Sequence, residues 1–500
     1  MDNDSSRLAG YAALIRQYKL AALPNWHESA VAASNTHRTE SVDQRIRQLY
    51  PLRYWPGDSL GDHLEFALKH DGTNLQILAR LFETAPAGDL LVHIRSKPTG
   101  KYARRIWYLY EMLTGTRLPI DDLDQGNYVE LLDPEEYYTA TGMAVQRQRI
   151  RDNLLGNAQF CPMIRRTARL QEFERAGLDE RGRQIMESYP VELLKRALGY
   201  LYTRETKSSF EIEHIRPDAT RTERFIALLA VAEQEDFLRK AALVELQNRI
   251  VDPRFQNHGF RTTQNYVGQT VAWQRERIHF VPPKPGDLER LMEGLCASHQ
   301  RMGDSRVHPV VHAAVVAYGF VFMHPFEDGN GRIHRFLIHN ILARRGFTPR
   351  GIMFPVSAVM LRDSAAYDAS LEAFSVPLMS CVEYELDDRG QLTVHNDTAA
   401  CYRYIDLTAQ AEALFHFIRE TIETDLVDEL KFLANYDRTK RAIQEIIDMP
   451  DRSIDLFIRL CLQNHGRLSK RKRDDTFASL TDGEVAQLEA AVQEGYQISP

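Results

Sequence analysis

The sequence predicts a mainly α-helical protein, and two observations support this prediction. Apolar residues recur at helical spacing in several long stretches, for example Leu60–Phe82 and Ile106–Leu113. Alternating patterns typical of strands are few: a short run at Tyr128–Leu132, and two runs between residues 262 and 283 that flank a polar turn and predict a hairpin. We therefore expect a helical core with a small β-hairpin, flanked by helical regions at its N- and C-terminal sides.

Three regions are expected along the chain. Residues 1–190 are predicted to form a mostly helical N-terminal region, in which the polar stretch His27–Arg47 is a linker. A further helical stretch is expected over residues 144–200. Residues 195–385 are predicted to form the central domain, and residues 390–500 a C-terminal helical region. The polar segment Asp387–Gln391 marks the boundary between the last two.

The composition is that of an ordinary globular protein. The 500 residues are 44% apolar and 26% charged, with a net charge of −7, which disfavours nucleic-acid binding by the chain as a whole. The five cysteines are scattered without a Cys-x-x-Cys pair, which indicates free thiols and a reducing compartment. The acidic N-terminus MDNDSSRLAG does not resemble a signal peptide, and no long uncharged apolar run predicts a membrane span. We therefore expect a cytoplasmic protein.

The most informative stretch is the polar dozen from His324 to Arg335, His-Pro-Phe-Glu-Asp-Gly-Asn-Gly-Arg-Ile-His-Arg. Apolar runs at Val310–Met323 and Phe336–Leu342 flank it, and both are predicted to be buried helices, the first opening at Pro309. The dozen is therefore a loop between two helices, and its last residues begin the second helix.

This loop has the groups that bind phosphates. Gly329 and Gly331 lack a Cβ, so their backbone N–H groups can approach a ligand closely, and a helix N-terminus favours an anion. Arg332 and Arg335 lie three residues apart and share one helical face, where their guanidinium groups can bind phosphate oxygens.

Two further residues add chemistry to the loop. Asp328 supplies the kind of hard oxygen ligand that Mg²⁺ prefers, and His324 can accept a proton near neutral pH. Together with the anion-binding groups, they predict a phosphoryl or nucleotidyl transfer site.

The dozen resembles the signature of Fic (Fido) domain proteins, His-Pro-Phe-x-Asp/Glu-Gly-Asn-Gly-Arg-x-x-Arg, with every specified position present. Fic enzymes typically transfer AMP from ATP to a hydroxyl side chain of a protein. The resemblance therefore implies a helical Fic core, ATP as substrate, Mg²⁺ as cofactor, and a target protein, which includes the chain itself, with a Ser, Thr or Tyr hydroxyl. It covers roughly residues 195–385 in the order of elements.

The resemblance also implies a role for each matching residue. His324 would deprotonate the target hydroxyl, and Asp328 would hold Mg²⁺. The phosphates would be bound by the remaining polar positions of the signature: Asn330 with the backbone of Gly329 and Gly331 at the α- and β-phosphates, Arg332 at the phosphates and Arg335 at the γ-phosphate. Phe326 would anchor the loop in the core.

A second stretch is similar to the inhibitory element of the family, Ser/Thr-x-x-x-Glu-Gly/Asn. Ser209 and Glu213 match it at four-residue spacing, whereas His214 stands where the family has Gly or Asn. In the family the glutamate pairs with the second arginine of the signature and blocks productive γ-phosphate binding. The resemblance thus implies that Glu213 competes with ATP for Arg335.

Several alternatives remain open at this stage. One is an enzyme that removes AMP, with Glu213 positioning water, and another is transfer of a different phosphate-linked group. A third is a regulatory or DNA-binding protein that uses the Fic core as a nucleotide sensor and the basic run Lys470–Arg473 as a contact, although a solvated helix end is the preferred interpretation of that run. His308 and His312 are interpreted as helix-start and packing residues rather than a metal site. A homo-oligomer is compatible with the sequence.

Overall fold

The computed structural model describes residues 6–33, 35, 37–42, 45–272 and 275–498. The first five residues of the acidic N-terminus and residues 273 and 274, in the turn of the expected hairpin, lie outside the described part. Within it the protein is mainly α-helical, as the sequence predicts, and no helix is long and apolar enough to cross a membrane.

The N-terminal region contains helices and two small sheets. Its helices are α1 Gly10–Tyr18, α2 Leu60–Phe66, α3 Leu75–Thr84, α4 Ala87–Ser96 and α5 Lys101–Thr114. Its strands are β1 Arg7–Ala9, β2 His27–Val31, β3 Arg38–Val42, β4 Arg45–Tyr50, β5 Val129–Glu130, β6 Met143–Val145 and β7 Ile150–Asp152. Helix α5 ends at Gly115, whose φ of 67° is the left-handed conformation that commonly terminates helices.

Two expectations for this region are wrong. The stretch His27–Arg47, expected to be a linker, contributes to a four-stranded sheet of order β1-β2-β4-β3, in which β2 and β4 are parallel. The polar residues His27 and Ser29 are buried in β2, so the composition of a linker conceals a strand. Residues 144–167, expected to be helical, form β6, β7 and a buried loop whose backbone pairs with residues 403 and 405.

The central region begins with the helices α6 Ala168–Arg175, α7 Leu178–Glu187, α8 Val191–Glu211, α9 Ala219–Ala230 and α10 Lys240–Ile250. The expected hairpin follows as β8 Val267–Ala272 and β9 Arg275–Phe280, which pair antiparallel. Then come α11 Pro285–Gly303, α12 Pro309–Met323, α13 Asn330–Arg344, α14 Val356–Arg362, α15 Ser364–Met379, a hairpin of β10 Tyr384–Leu386 and β11 Leu392–Val394, α16 Ala399–Arg403 and α17 Thr408–Glu420. The polar segment expected as a boundary is the turn of that second hairpin.

The C-terminal region contains α18 Leu426–Ile446, α19 Asp451–Leu462, α20 Lys470–Thr476 and α21 Asp482–Tyr496. Its buried apolar side chains, from Ile443 to Val492, form a cluster of their own. The largest cluster contains α12 and α13 and extends from Tyr138 to Leu430. The core around the signature therefore reaches beyond the expected range of 195–385 on both sides, and the domain ranges themselves stay predictions.

Helix α12 positions the signature. Every residue from Val310 to Met323 is buried, because the sequence of this helix is apolar on all sides. Helix α13 packs beside it and is also buried over most of its length. The loop between them is thus fixed at both ends by the best-packed part of the molecule.

Candidate active site

The loop is shaped by two left-handed residues. His324 ends α12 with φ 48°, and Gly329 precedes α13 with φ 89°. A Cβ on Gly329 would come within 2.8 Å of Val251 Cγ1, so glycine is required there by both backbone conformation and space. The loop therefore turns sharply and brings the start of α13 close to His324.

His324 is held as a neutral base. Its Nδ1 lies 3.1 Å from the carbonyl oxygen of Val321, which can only accept, so Nδ1 carries the hydrogen and Nε2 keeps its lone pair. Burial lowers the pKa of His324 to about 4, although the Val321 carbonyl opposes the shift. At neutral pH the ring is thus in the form that accepts a proton at Nε2.

Arg261 is a positioning residue that sequence analysis missed. Its side chain is buried, and it donates to the carbonyl oxygens of His324 (2.9 Å), Thr263 (2.9 Å) and Pro283 (2.6 Å). Burial lowers its pKa to about 10. Because Thr263 and Pro283 lie before and after the β8–β9 hairpin, Arg261 ties both ends of that hairpin to His324. An isolated arginine near no motif gave no sequence signal.

Asn330 holds the loop from inside. Its Oδ1 accepts from the Phe326 N–H (3.0 Å) and its Nδ2 donates to the Phe326 carbonyl (2.7 Å). Phe326 itself is fully buried and packs edge-on against Phe260, which agrees with the expected anchoring role. The Asn330 amide, expected at the phosphates, is thus engaged with the loop backbone, and the Gly329 N–H donates to Asp328 Oδ1. The Gly331 N–H remains the predicted phosphate contact of this segment.

Glu213 pairs with both arginines of the signature. Its Oε2 lies 2.7 Å from Arg332 Nε, and its Oε1 lies 2.7 Å from Arg335 Nη2. The expectation named only Arg335. Both guanidinium groups are buried, whereas the Glu213 side chain is 24% exposed, so the ion pairs lie at the edge of the core.

The carboxylate of Glu213 also occupies the start of α13. A Cβ added to Gly331, in the first turn of that helix, would stand 2.4 Å from Glu213 Oε1. The unpaired N–H groups at this helix end favour an anion. Glu213 therefore takes the place that a phosphate group of a nucleotide would favour.

The backbone conformation of His214 shows how this residue can stand where the family pattern has Gly or Asn. Helix α8 ends at Glu211, and His214 has φ 56°, in the left-handed region. Glycine and asparagine adopt this conformation most readily, which is the physical reason for them at this position of the family element. The histidine adopts the same backbone conformation, so the substitution leaves the geometry of the element in place. Glu213 lies in the turn after the helix rather than on its face, which corrects the expected helical arrangement.

A seam of buried polar contacts continues along α8 and α13. Arg335 donates from Nε to Ser209 Oγ (2.9 Å) and from Nη2 to the Ser209 carbonyl (2.5 Å). One turn earlier on α8, Glu205 Oε1 lies 2.7 Å from His339 Nε2, and its Oε2 accepts from the Ser357 N–H at 2.9 Å. Glu205 and His339 were missed, although Glu205, Ser209 and Glu213 at four-residue spacing are a readable signal of one face.

Asp328 fits a limited role in metal binding. Its Oδ1 accepts from the Gly329 N–H (2.6 Å) and from Arg332 Nη2 (2.8 Å), and its side chain is 43% exposed. Among the residues that the structure describes, no group of three or more His, Cys, Asp or Glu side chains could hold a metal. Mg²⁺ commonly takes one or two carboxylates and completes its shell with phosphate oxygens and water. A single Asp328 fits that pattern only together with a nucleotide.

The segment that leads into the β8–β9 hairpin lies against the loop. Thr263 Oγ1 donates to Glu327 Oε1 at 2.7 Å, and Asn265 Nδ2 donates to the Phe326 carbonyl at 3.3 Å. In the described part of the chain these two strands form a sheet of their own, so each pairs on one side only. The hairpin thus offers strand edges beside the candidate catalytic residue.

The pair of histidines at the other end of α12 belongs to a hydrogen-bond network. His308 Nδ1 accepts from the Val310 N–H at 3.2 Å, which caps the helix. His312 Nε2 lies 2.9 Å from His299 Nδ1, and its own Nδ1 lies 3.0 Å from Arg345 Nη1. These contacts agree with the structural interpretation of both residues.

Comparison with known proteins places this site in a family. Residues 237–342 match the model of the Fic/DOC family. The chain therefore contains a Fic/DOC family domain, and the loop from His324 to Arg335 is its signature.

Curated proteins that match part of this chain have a name that specifies an activity. Proteins named protein adenylyltransferase Fic match from Culex quinquefasciatus, at 38% identity over 125 residues, and from Aedes aegypti, at 35% over 122 residues. Each match covers 24% of this chain and 22% of the relative, so the chain spans about a fifth of the length of the curated relatives it matches.

Solved structures also match at low identity. A Fic family protein from Desulfovibrio desulfuricans G20 is 17% identical, with 65% of this chain and 84% of that one covered and a TM-score of 0.37. A Fic domain containing signaling protein from Bacteroides thetaiotaomicron is 19% identical, with 51% and 96% covered and a TM-score of 0.36.

Proposed function

We propose that this protein is a Mg²⁺-dependent protein adenylyltransferase that transfers AMP from ATP to a hydroxyl side chain of a protein and is inhibited by its own Glu213. One observation carries the proposal: a neutral, backbone-held His324 and two buried arginines meet at the N-terminus of α13. The match of residues 237–342 to the Fic/DOC family and the relatives named protein adenylyltransferase Fic support it.

The residues of the chain have distinct roles in this reaction. His324 Nε2 accepts the proton of the target hydroxyl while the hydroxyl oxygen attacks the α-phosphorus of ATP. The bond from that phosphorus to the bridging oxygen breaks, and pyrophosphate leaves with the electron pair. Mg²⁺, held by Asp328 and the phosphates, would neutralise charge on the leaving group. Arg332 and Arg335 bind the phosphates, because positioning and charge stabilisation supply most of the catalysis in phosphoryl transfer.

Self-inhibition follows from competition for the same guanidinium groups. Arg332 and Arg335 are both paired with Glu213, and its carboxylate lies at the helix end that favours an anion. A triphosphate in the productive position would have to displace this carboxylate. Removal of Glu213 leaves Arg335 without an acidic partner and Arg332 paired with Asp328 alone, so a phosphate can bind both buried guanidinium groups.

The protein target would bind along the β8–β9 hairpin. An extended segment can add to an unpaired strand edge, where backbone hydrogen bonds set its register. Arg261 fixes this hairpin relative to His324, so a segment on the edge would present its hydroxyl at a defined distance. The target is a protein with a Ser, Thr or Tyr hydroxyl, and self-modification is included.

Transfer of labelled AMP tests the proposal. Glu213→Gly is expected to raise self-labelling by labelled ATP, and His324→Ala in the same background to lower it by about 10²- to 10⁴-fold, the usual contribution of a general base. Glu211→Gly is the matched control, because Glu211 lies on an exposed position of the same helix end. Nucleotide binding by the His324→Ala protein should persist. Undiminished labelling by that protein would refute the base assignment, and no rise with Glu213→Gly would refute self-inhibition.

Removal of AMP is the second candidate, favoured by the position of Glu213. Its carboxylate is fixed by two arginines and remains partly exposed, so it can orient a water molecule beside the phosphate site. This alternative predicts that Glu213→Gly abolishes release of AMP from a modified protein, whereas Glu211→Gly does not. Mass spectrometry of a pre-modified target separates the two candidates.

A further inference from the structure

We propose that a cavity between the N-terminal region and helices α15 and α17 is a binding site for a small, uncharged, planar molecule that carries a carboxamide or the equivalent edge of a nucleobase. The cavity has a volume of about 300 Å³. None of the residues of the candidate active site lines it. Clefts of this size at the junction of two regions are common ligand sites.

A buried glutamine gives the main polar contact. Gln410 on α17 is 1% exposed and lines the cavity; its Nε2 donates to the Ser370 carbonyl at 2.8 Å. Its Oε1 is buried and has no hydrogen-bond partner among the residues that the structure describes. Buried polar atoms are almost always hydrogen-bonded, so this oxygen indicates a donor that comes from outside the chain.

A second buried amide lines the same cavity. Gln76 on α3 accepts at Oε1 from the Leu23 N–H at 3.1 Å. The partner of its Nε2 is Cys401 Sγ at 3.8 Å, a weak acceptor. The two amides thus lack one strong donor and one strong acceptor between them. A carboxamide carries both kinds of group.

Aromatic side chains make the cavity suited to a planar ligand. Trp26, Phe374 and Tyr404 line it together with the amides. The guanidinium group of Arg165 already stacks on Trp26, 4.7 Å from the ring centroid, and pairs with Asp406 at 3.2 Å. Aromatic walls favour a flat, apolar body between them.

The charges of the cavity favour a neutral ligand. Arg165 and Asp406 neutralise each other, and Arg45 lies on an exposed position at the rim. The buried polar groups are amides, which stabilise a neutral molecule by hydrogen bonds and offer no counter-charge to an ion. The signature loop, with two arginines and a helix N-terminus, instead favours an anion. The two sites therefore favour ligands of different charge.

Calorimetric titration of the full chain tests the site with three probes. Nicotinamide is a planar carboxamide, adenine is a nucleobase, and nicotinate has the nicotinamide ring without a donor and with a negative charge. We expect nicotinamide or adenine to bind with a dissociation constant of about 10 µM to 1 mM, as usual for fragments of this size, and nicotinate to bind at least about tenfold more weakly.

Two variants locate the binding. Gln410→Leu and Trp26→Ala are each expected to weaken it at least about tenfold, whereas Gln463→Leu, at an exposed position of the C-terminal region, leaves it unchanged. Thermal melting identifies a variant that fails to fold, and the other then decides. The inference is overturned by the absence of binding for both nicotinamide and adenine at 10 mM, by equal binding of nicotinate, or by binding that neither variant weakens. If ATP displaces adenine and Gln410→Leu does not weaken adenine binding, adenine binds at the candidate active site. That result counts against the inference.

Discussion

His324 carries its chemistry because its surroundings select one protonation state and one tautomer. The Val321 carbonyl fixes the hydrogen on Nδ1, and burial disfavours the imidazolium ion. An ordinary exposed histidine would be partly protonated near neutral pH, and its ring would turn freely. Here the lone pair of Nε2 is available throughout the neutral range.

The pKa of His324 gives a prediction for the nucleotide-free protein. Because it is lowered to about 4, the ring should stay neutral with hydrogen on Nδ1 as the pH falls from 8 to 5. Nitrogen-15 NMR of the imidazole ring measures this directly, and the surface residue His465 provides an internal control. The sign for stability is also defined: the unfolded chain takes up the proton near pH 6.5, so this group destabilises the fold as the pH falls from there towards 4. Titration of His324 at 6.5 would contradict the buried environment.

Arg261 gives a second prediction at this scale. Arg261→Lys keeps the charge but cannot reach three carbonyl oxygens with one forked group, so His324 and the hairpin should lose their fixed relation. In the Glu213→Gly background we expect kcat for AMP transfer to fall about 10- to 100-fold, while KM for ATP changes little.

The matched control for Arg261 is Arg254→Lys, since Arg254 is exposed and pairs with the neighbouring Asp252. A rise in KM for ATP with unchanged kcat would show that Arg261 acts on nucleotide binding instead of on the position of the base.

Helices α8 and α13 carry the contacts on which the proposed inhibition depends. Glu205 and Ser209 lie on successive turns of α8 and Glu213 in the turn that follows the helix, and their partners lie along one side of α13. The side chains of Glu205 and His339 pair with each other and connect α8 to α13. In the proposed inhibited state, the position of Glu213 therefore depends on a pair of residues about two turns away.

Loss of Glu205 should weaken both stability and inhibition. Glu205→Ala leaves His339 and Ser357 without their hydrogen-bond partner in a buried site, and each buried polar group left unsatisfied costs about 1–3 kcal/mol. For Glu205→Ala we expect a lower melting temperature together with increased self-labelling, measured on the same sample. Glu213→Gly should raise self-labelling more and change the melting temperature less. Glu211→Ala is the control on an exposed position. Lower stability without increased labelling would mean that this pair has no part in inhibition.

The sequence predicts elements well where one residue type controls the local structure. Pro309 at the start of α12 and Gly115 at the end of α5 are examples, because their backbone preferences act within a few residues. Glu205 and His339 lie 134 residues apart, so their contact exists only once α8 has packed on α13. The strands β2 to β4 were missed for a similar reason: their polar composition suits a linker until pairing in a sheet buries one face.

At the scale of the whole molecule, the buried apolar side chains fall into separate clusters. The cluster around the signature and that of the N-terminal region meet at the proposed ligand cavity, and the C-terminal helices have a cluster of their own. The motif alone defined the catalytic loop from the sequence, since all its residues are contiguous. The extent of the surrounding core was beyond sequence patterns, because it depends on contacts between distant segments.

The basic run of the C-terminal region tests the DNA-binding alternative. Arg473 donates to the Phe477 carbonyl at 2.6 Å and pairs with Asp482, and Arg471 pairs with Asp475 at 3.4 Å. Among the described residues, Lys470 and Lys472 therefore remain for an external partner. Two phosphate contacts give a shallow salt dependence, with a slope no steeper than about −2. We expect a mobility-shift assay with duplex DNA to show weak binding at low salt that disappears at physiological salt.

Lys470→Glu with Lys472→Glu should remove that residual shift. Tight binding that survives physiological salt, with a steeper slope, would instead favour a protein that uses its C-terminal region on nucleic acid.

The unequal burial of α12 and α8 has a consequence for the proposed regulation. Residues 310–323 of α12 are all buried, whereas α8 exposes Tyr200 and Lys207 on one side. With the roles proposed above for His324 and Glu213, we expect substitutions on that side of α8 to change the strength of inhibition and to leave the position of the base unaltered.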